Sequence, residues 1–429
     1  MERSEAVLFD FDGTLADSIA AVCHATNDTL ADWRRPGVDK REILFGMQYK
    51  TIKRLGYHSG ITDPDVLAEM MRRFYRRLHE RAKLVEPYPG TLELVEELKN
   101  SGVRLGIVSN NDGEFVRTVL RDWNAEGLFD LSLGEPEFEP LKPDPAGINL
   151  TLERLGAAAA AAVYVGDSES DAAAAREAGV HSIGVAWSHR KYGLTPAVSF
   201  PRRVERPEEL KERIQAWRAL LHRLPPGLLR GTVRKRIYVM RHCESEANRR
   251  DILAARQDYP LSEGGHAHAE LVAERFLRER SIDRIVASPL ARARQTAEPF
   301  GRRSGIPVES GESLVEHELG VFTGLPKAEI AARGDYPTAK SGRWLWRPQG
   351  GETYQEIYER VVAFLLGQVL AGPGQSTLLV SHAITMRMIR AFLENSAPLY
   401  PEEIAENGEI WEVDFVALGK AHPVRELRY

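Results

Sequence analysis

The chain has 429 residues, too many for one typical hydrophobic core, so its length predicts two or three domains. Its composition is 43% hydrophobic and 28% charged with 35 glycines and 24 prolines, which excludes a largely disordered, collagen-like or coiled-coil protein. A formal net charge of −5 provides no overall basic field, so nucleic acid is not expected as a partner.

Cysteine usage and the first residues bear on the cellular compartment. Cys23 and Cys243 are the only cysteines and lie far apart in sequence, which argues against a disulfide framework and for a reducing environment. The chain begins without the basic start and apolar stretch of a signal peptide, and no uncharged run reaches the roughly 18 residues of a membrane span. We therefore expect a cytoplasmic protein with no membrane contact.

Over the first 200 residues, short apolar runs of strand length alternate with helical patterns, which is typical of a parallel sheet covered by helices. The predicted strands and helices, in chain order, are 6–9, 91–99, 104–108, 113–122, 146–155, 163–165, 171–177 and 182–185. Charged, helix-like stretches interrupt this alternation between about residues 19 and 86. This interruption predicts a helical insertion after the first strand.

A segment rich in arginine and proline follows, and we place the domain boundary there. We predict a domain at 1–200, a basic linker at 201–234 that contains one short helix near 208–222, and a second domain at 235–429. A basic run is usually a solvated linker surface, and docking onto an acidic partner or the other domain is the alternative.

After the linker the α/β pattern begins again. The predicted strands and helices are 236–240, 264–278, 284–287, 290–300, 354–370 and 377–380. The sequence therefore predicts a second α/β domain.

Four polar fragments of the first half lie at or near the ends of predicted strands. Their candidate functional residues are Asp10, Asp12, Ser109, Lys142, Asp167 and Asp171. Because the carboxyl ends of parallel strands meet at one edge of a sheet, we expect these side chains on a common rim. Clustered carboxylates repel one another unless a cation is present, and an all-oxygen set suits Mg²⁺. Each fragment alone could be an ordinary turn; four in this order favour a site.

These fragments resemble the haloacid dehalogenase superfamily, in particular its phosphoglycolate-phosphatase-like branch, over roughly residues 5–200. The resemblance implies a Rossmann-like parallel sheet with a helical cap at about 19–86 that selects the substrate. It implies that Asp10 attacks phosphorus to form an aspartyl phosphate, and that Asp12 protonates the leaving alcohol and then activates water. Ser109 and Lys142 would hold the phosphoryl group. Mg²⁺ would be held by Asp10, Asp167, Asp171 and the backbone carbonyl of Asp12.

Two histidines of the second half follow predicted strands: His242, preceded by Arg241, and His382. With Arg292 they predict a phosphate pocket, because guanidinium groups bind phosphate and imidazole can be a nucleophile. A lone histidine is more often structural, and zinc is a rival ligand. However, no cysteine or histidine at metal-ligand spacing accompanies the pair, and the arginines would repel a cation.

The second half resembles the histidine phosphatase superfamily, which includes the cofactor-dependent phosphoglycerate mutases, over roughly residues 235–425. The matching motifs are Arg241-His242 with Asn248, the run 288–297, Glu316 with Gly320 and Gly324, and Ser381-His382. The resemblance implies a three-layer α/β/α domain without a cofactor, in which His242 becomes phosphorylated and Glu316 is the general acid. The phosphoryl group would be bound by Arg241, Asn248, Arg292 and His382. Cys243 and Ala383 stand where the family often has glycine, so we expect a crowded site.

Together these features predict an α/β protein with two domains that is a bifunctional phosphatase of small phosphomonoesters. The first domain would depend on Mg²⁺ and the second would need no metal. The alternatives are phosphomutase activity in one domain, or one domain that is a silent phosphoester sensor regulating the other.

Overall fold

A computed structural model of the chain describes residues 5–46, 50–194, 199–229, 231, 234–337 and 340–429, apart from the side chains of residues 45, 340 and 341. The chain divides into two compact units, Met1–Trp217 and Arg218–Tyr429. Each unit contains a six-stranded sheet with helices on its connections. The predicted α/β fold class is therefore confirmed.

The first sheet is entirely parallel. Its strands are β1 (Ala6–Phe9), β4 (Arg104–Asp112), β5 (Leu131–Glu135), β6 (Ala162–Gly166), β7 (His181–Val185) and β8 (Arg203–Val204). Their order across the sheet is β5-β4-β1-β6-β7-β8, so β1 lies between β4 and β6. All four residues of β1 are buried, which is why this strand is an unbroken apolar run.

The described part of the predicted insertion is helical. It contains α1 (Ile19–Asp32), α2 (Lys40–Gly46), α3 (Thr51–Ser59) and α4 (Pro64–Glu80). Two short strands, β2 (Ala16–Asp17) and β3 (Glu86–Pro87), pair where the chain enters and leaves the insertion. Apolar side chains recur every four residues along α4, at Met70, Phe74 and Leu78, and all three are buried.

The remaining predicted helices of the first half are present with nearly the predicted bounds. They are α5 (Thr91–Asn100), α6 (Gly113–Asp122), α7 (Ala146–Leu155) and α8 (Glu169–Ala178). A further helix, α9 (Trp187–Tyr192), was not predicted.

The segment that the composition assigns to a linker carries structure of its own. Strand β8 pairs with β7, and just beyond this pairing the Ala186 N–H donates to the Val204 carbonyl at 3.0 Å. Helix α10 (Pro207–Arg223) covers the predicted short helix, and its residues Leu210 and Ile214 are buried. This helix contains the division between the two units and is followed by α11 (Pro226–Leu229). The linker boundaries themselves stay a prediction.

The second sheet is mixed. Its strands are β9 (Lys235–Arg241), β10 (Arg284–Ala287), β11 (Val308–Ser310), β12 (Ser376–Ser381), β13 (Ile410–Phe415) and β14 (Arg425–Leu427). They lie in the order β11-β10-β12-β9-β13-β14, with β13 antiparallel to both of its neighbours. Strands β9 and β12 are adjacent and parallel, with Arg241 opposite Ser381.

The helices of the second half are α12 (Glu246–Arg249), α13 (Glu263–Glu279), α14 (Ala291–Ser304), α15 (Lys327–Ala332), α16 (Tyr354–Phe364) and α17 (Ala383–Leu393). The single helix predicted over 354–370 is α16 followed by a π-helical segment, Leu365–Leu370. Within the described ranges, no helix has the length and apolar character needed to cross a membrane.

Candidate active sites

The first candidate site lies at the carboxyl ends of β1, β4 and β6. Asp10 follows β1, and its N–H donates to the Val165 carbonyl of β6 at 2.8 Å. Asp167 follows β6, and Asp171 lies in the first turn of α8. Carboxylate oxygens of Asp10, Asp167 and Asp171 all lie within 4.8 Å of one another. These three side chains are therefore brought together at one edge of the sheet, where the sequence predicts them.

Lys142 lies among these carboxylates. Its ammonium group is 2.6 Å from an oxygen of Asp10 and 2.6 Å from an oxygen of Asp171, and it donates to the Val108 carbonyl at 2.9 Å. The Tyr164 hydroxyl lies 2.9 Å from the same nitrogen. The backbone of Lys142 is held by the Asn110 side chain, which accepts its N–H and donates to its carbonyl, both at 2.9 Å. The lysine is thus fixed as the positive charge of the cluster.

Burial shifts the pKa of the carboxyl groups in this cluster. It raises the pKa of Asp10 well above its usual value, assisted by the negative charge of Asp171, although Lys142 opposes the rise. It also raises the pKa of Asp167 to about 7. Burial alone would raise the pKa of Asp171 too, but the Lys142 ammonium and hydrogen bonds from Lys142 and Ser168 outweigh it and lower the pKa. One lysine therefore does not balance the cluster, and a further cation would.

Asp12 and Ser109 lie beside the cluster. The Asp12 carboxylate accepts hydrogen bonds from the Ser18 hydroxyl and from the Asn111 amide, the latter at 3.0 Å. Burial raises the pKa of Asp12 despite these bonds. Ser109 is buried, and its hydroxyl accepts the Asn111 N–H at 3.1 Å.

Local backbone geometry brings Asp167 and Asp171 to the site. Gly13 adopts a φ of +80°, and a Cβ atom there would lie 2.1 Å from an Asp167 carboxylate oxygen, so only glycine allows this approach. Ser188 donates to Asp167 at 2.7 Å. Ser168 caps α8, and Asp171 accepts from both its N–H and its hydroxyl, at 3.1 and 2.6 Å.

Several supporting residues were not found from the sequence. They are Ser18, Asn110, Asn111, Tyr164 and Ser188. The pair Asn110-Asn111 directly after Ser109 is the one local signal that could have been interpreted. Tyr164 lies in a strand that is buried throughout, so nothing in the sequence distinguishes it from a core residue. Ser188 lies in helix α9, outside the four motifs.

The second candidate site lies at the carboxyl ends of β9 and β12. His242 follows β9 and His382 follows β12, and their ring centroids are 5.1 Å apart. The Nδ1–H of His242 donates to the Cys243 carbonyl at 2.7 Å, which fixes the tautomer and leaves Nε2 as the basic nitrogen. Nε2 of His382 lies 2.8 Å from the Ser288 hydroxyl.

Two arginines contribute positive charge to this site. Arg241 donates to the Ala405 carbonyl at 2.7 Å, and Arg292 donates to the carbonyls of Gln257 and Ala255 at 2.9 and 2.8 Å. Nε of Arg241 and Nδ1 of His382 are buried without a hydrogen-bond partner. Because buried polar atoms are nearly always satisfied, these two atoms indicate a place for a polar ligand.

Burial and the two guanidinium groups keep the histidines neutral. Burial lowers the pKa of His242 well below its usual value, and the charges of Arg292 and Arg241 lower it further. The same causes lower the pKa of His382 well below its usual value. Both rings are therefore neutral near pH 7, which is the state a nucleophilic imidazole needs.

The side-chain carboxylate of Glu316 lies at the beginning of α17. Its carboxylate accepts the N–H groups of His317, Ile384 and Thr385 at 2.9, 3.2 and 3.3 Å. His382 is the residue that precedes α17, so one helix start positions both Glu316 and His382.

Asn248 has its carbonyl oxygen engaged in a helix cap. It accepts from the Ser245 N–H at 3.0 Å and the Ser245 hydroxyl at 2.8 Å, so only its amide nitrogen is available for a phosphoryl group. No sequence motif indicates Asn407, whose amide donates to the His242 carbonyl at 2.9 Å and to the Asn248 side-chain oxygen at 3.3 Å.

The crowding expected from Cys243 and Ala383 stays a prediction, and the structure places Cys243 in the hydrophobic core. Its side chain is fully buried in the hydrophobic core with Met240 and Leu261, and its N–H donates to the Thr296 hydroxyl at 3.0 Å. Burial raises the pKa of the Cys243 thiol to about 12, so the thiol is neutral.

Comparisons with known proteins match the two halves separately. Residues 7–185 match the family described as "Haloacid dehalogenase-like hydrolase", and residues 237–419 match the "Histidine phosphatase superfamily (branch 1)". A pyrophosphatase of Bacillus velezensis is 34% identical over 44% of this chain and 85% of its own length. A phosphoglycolate phosphatase of Pseudomonas syringae pv. syringae is 30% identical over 43% of this chain and 70% of its own length.

Solved structures also match each half. A haloacid dehalogenase-like hydrolase from Bacteroides fragilis aligns over 49% of this chain and 100% of its own, with 28% identity and a TM-score of 0.44. A mycobacterial glucosyl-3-phosphoglycerate phosphatase aligns over 45% of this chain and 98% of its own, with 26% identity and a TM-score of 0.38.

Proposed function

Since the chain belongs to the haloacid dehalogenase-like hydrolases through its first half and to the histidine phosphatase superfamily through its second, we propose that it is a bifunctional phosphatase of small phosphomonoesters. Both families are phosphatase families, so the chain is a hydrolase. The observation that carries the proposal is the presence of two separate sets of phosphoryl-transfer residues, one of carboxylates and one of histidines and arginines.

The residues of the first site fit Mg²⁺. Three carboxylates within 4.8 Å form an all-oxygen donor set, and burial raises the pKa of two of them, Asp10 and Asp167. Asp10, Asp167 and Asp171 would hold the ion together with the Asp12 carbonyl. Bound there, Mg²⁺ would neutralise carboxylate charge and the charge that develops on the phosphoryl oxygens.

In the first site, a carboxylate oxygen of Asp10 attacks phosphorus, and the bond to the leaving alcohol breaks. Burial, which raises the pKa of Asp12, favours the protonated carboxyl that donates its proton to the leaving oxygen. Asp12 then accepts a proton from the water that attacks the aspartyl phosphate, and Asp10 is regenerated. Lys142 and Ser109 hold the phosphoryl oxygens throughout.

In the second site, Nε2 of His242 attacks phosphorus, since Nδ1–H is engaged with the Cys243 carbonyl. Arg241, Arg292, His382 and the Asn248 amide bind the phosphoryl oxygens. Glu316 transfers a proton to the leaving alcohol and takes one back from the water that hydrolyses the phosphohistidine. None of these steps uses a metal.

Phosphate release from a panel of phosphomonoesters, with and without EDTA, tests the proposal. Asp10→Asn should lower the EDTA-sensitive rate by at least about 10³-fold, and His242→Ala should lower the EDTA-resistant rate by a similar factor, because each removes a nucleophile. Asp122→Asn and His266→Ala change exposed residues of the same types and serve as controls. If either active-site variant abolished both activities, or neither, the proposal of two independent sites would be wrong.

A further inference from the structure

The backbone carbonyl of Glu316 is held by two arginines that the proposed mechanism does not use. Nε of Arg256 donates to this oxygen at 3.0 Å, and a terminal nitrogen of Arg360 donates to it at 3.3 Å. Arg360 also donates to the carbonyls of Ser313 and Val315, at 2.5 and 2.8 Å. The segment that carries the proposed general acid is therefore fixed through its backbone, in addition to the hydrogen bonds that hold the Glu316 carboxylate.

One carboxylate joins the two arginines. Oε1 of Glu352 accepts from Arg256 at 2.7 Å and from Arg360 at 3.0 Å, and it also accepts the Glu318 N–H at 3.1 Å. The side chains of Glu352 and Arg256 are 15% and 35% exposed, so these contacts are partly shielded from water. Because charge-assisted hydrogen bonds are stronger than neutral ones, the three ionised side chains form a firm support for residues 316–318.

Arg256 also connects this support to the phosphate-binding arginine. The carbonyls of its two neighbours in sequence, Ala255 and Gln257, accept the hydrogen bonds from Arg292, at 2.8 and 2.9 Å. The backbone around Arg256 thus binds Arg292, while its side chain binds Glu316. Since Arg292 is proposed to bind the phosphoryl group and Glu316 to protonate the leaving alcohol, Arg256 lies where it can set the distance between them.

We propose that Arg256 is a positioning residue of the second site, which holds the general acid Glu316 in place relative to the phosphoryl group bound by Arg292. A general acid must lie within hydrogen-bond reach of the leaving oxygen, so a small displacement of Glu316 slows the step that needs its proton. Arg256 acts through Glu316 and not by touching the substrate. This inference rests on the proposed phosphohistidine mechanism of the second half.

The test uses the dependence of the rate on the leaving group, which a general acid controls. An alkoxide is a poor leaving group and needs the proton, whereas p-nitrophenolate leaves readily without one. The EDTA-resistant kcat/KM of the full chain is therefore measured with p-nitrophenyl phosphate and with the alkyl phosphate that the unmodified chain hydrolyses fastest. Glu316→Gln, which removes the acid itself, defines the pattern that a lost proton donor gives.

Two substitutions of Arg256 are compared with a control elsewhere in the same unit. Arg256→Met retains much of the side-chain volume without the donors. Arg256→Lys keeps the charge beside Glu352 but lacks the planar fork that reaches two oxygens at once. Arg284→Met is the matched control, because Arg284 also binds a carboxylate, Glu309, and a backbone carbonyl, and it begins β10 at the end opposite the site.

Arg256→Met should lower kcat/KM for the alkyl phosphate about 10- to 100-fold, because misplacement of a reacting group by about 1 Å has an effect of that size. The value for p-nitrophenyl phosphate should fall less than about threefold, since its phenolate needs little protonation. Arg256→Lys should show the same selective loss to a smaller extent. Arg284→Met should leave the ratio of the two kcat/KM values unchanged.

Equal losses with both substrates in the Arg256 variants, or no loss with either, would overturn the positioning role. A ratio that changed as much in Arg284→Met would also overturn it, because it would show a general effect of destabilisation. If Glu316→Gln gave no leaving-group dependence, the assigned role of Glu316 in the proposed function would be wrong. Absence of EDTA-resistant hydrolysis from the unmodified chain would contradict that function itself, so the failures are distinguishable.

Discussion

Individual buried charges set the protonation states on which both proposed reactions depend. They raise the pKa of carboxyl groups in the first site and lower the pKa of a histidine in the second. In the first site, burial and neighbouring carboxylates raise the pKa of Asp10 and Asp167, and a single lysine compensates only part of the negative charge. In the second site, burial and two guanidinium groups lower the pKa of His242. Under the proposed mechanisms, the neutral nucleophile would therefore need no cation, whereas the carboxylate nucleophile among carboxylates would.

The low pKa of His242 predicts the pH dependence of the second activity. Only the neutral imidazole attacks phosphorus, so activity is present above the His242 pKa and is lost as pH falls through it. Because that pKa lies well below 6.5, the acid limb of the EDTA-resistant kcat/KM should lie below pH 6.5. Arg292→Gln removes a positive charge that lowers this pKa, so the limb should move to higher pH while the rate falls.

Arg294→Gln is the matched control for this experiment, because Arg294 lies on the same helix α14 and is exposed. Its limb should coincide with that of the unmodified chain. A limb that moved to lower pH in Arg292→Gln, or that moved equally in both variants, would show that Arg292 does not act on His242.

At the level of elements, both sites use the start of a short or medium helix that follows a strand. Asp171 in α8 and Asn248 in α12 each occupy the third helical position, and each side chain bonds back to the serine that caps the helix. These bonds satisfy N–H groups that the helix leaves free and orient the functional side chain at the same time. The two folds thus fix site residues with the same local device.

Ser168→Ala should separate the structural and functional parts of this device. Loss of the cap should lower the free energy of unfolding by about 1 kcal/mol. Asp171 also loses the 2.6 Å bond from the Ser168 hydroxyl, so the Mg²⁺ concentration for half-maximal EDTA-sensitive activity should rise. Thr353→Ala removes an equivalent capping box from α16 and should lower stability without that rise. Equal Mg²⁺ requirements in both variants would contradict the positioning role of Ser168.

The elements that carry the motifs could be predicted because they are buried on both faces or strongly periodic. Strand β1 and helix α7 begin and end where the pattern places them. Strand β13 was missed because acidic residues interrupt its apolar run, and β8 has only two residues. Asn407 was missed for another reason: it contacts His242 across 165 residues of sequence, and no local pattern carries that information.

For the whole molecule, Mg²⁺ should stabilise one unit and leave the other unchanged. The carboxylate cluster belongs to the unit Met1–Trp217, whereas the candidate site in Arg218–Tyr429 has positively charged arginines that repel a cation. A ligand that binds only the folded state adds about 2.7 kcal/mol of stability at 100 times its Kd. Calorimetric heating should therefore show one transition that moves to higher temperature with Mg²⁺ relative to EDTA, and one that does not.

The Mg²⁺-induced shift should also depend on pH. Burial raises the pKa of Asp167 to about 7, so below that pH a proton competes with the cation, and the shift should be larger at pH 8 than at pH 6. Without the metal, stability should change with pH in the opposite direction. The folded state keeps the Asp167 carboxyl protonated up to about pH 7, whereas the unfolded state loses that proton near pH 3.8. The free energy of unfolding of the first unit should therefore fall as pH rises from 3.8 through 7. Asp167→Asn should remove both effects, and Asp122→Asn should retain them. Movement of both transitions with Mg²⁺, or a full shift in Asp167→Asn, would show that the ion is bound elsewhere.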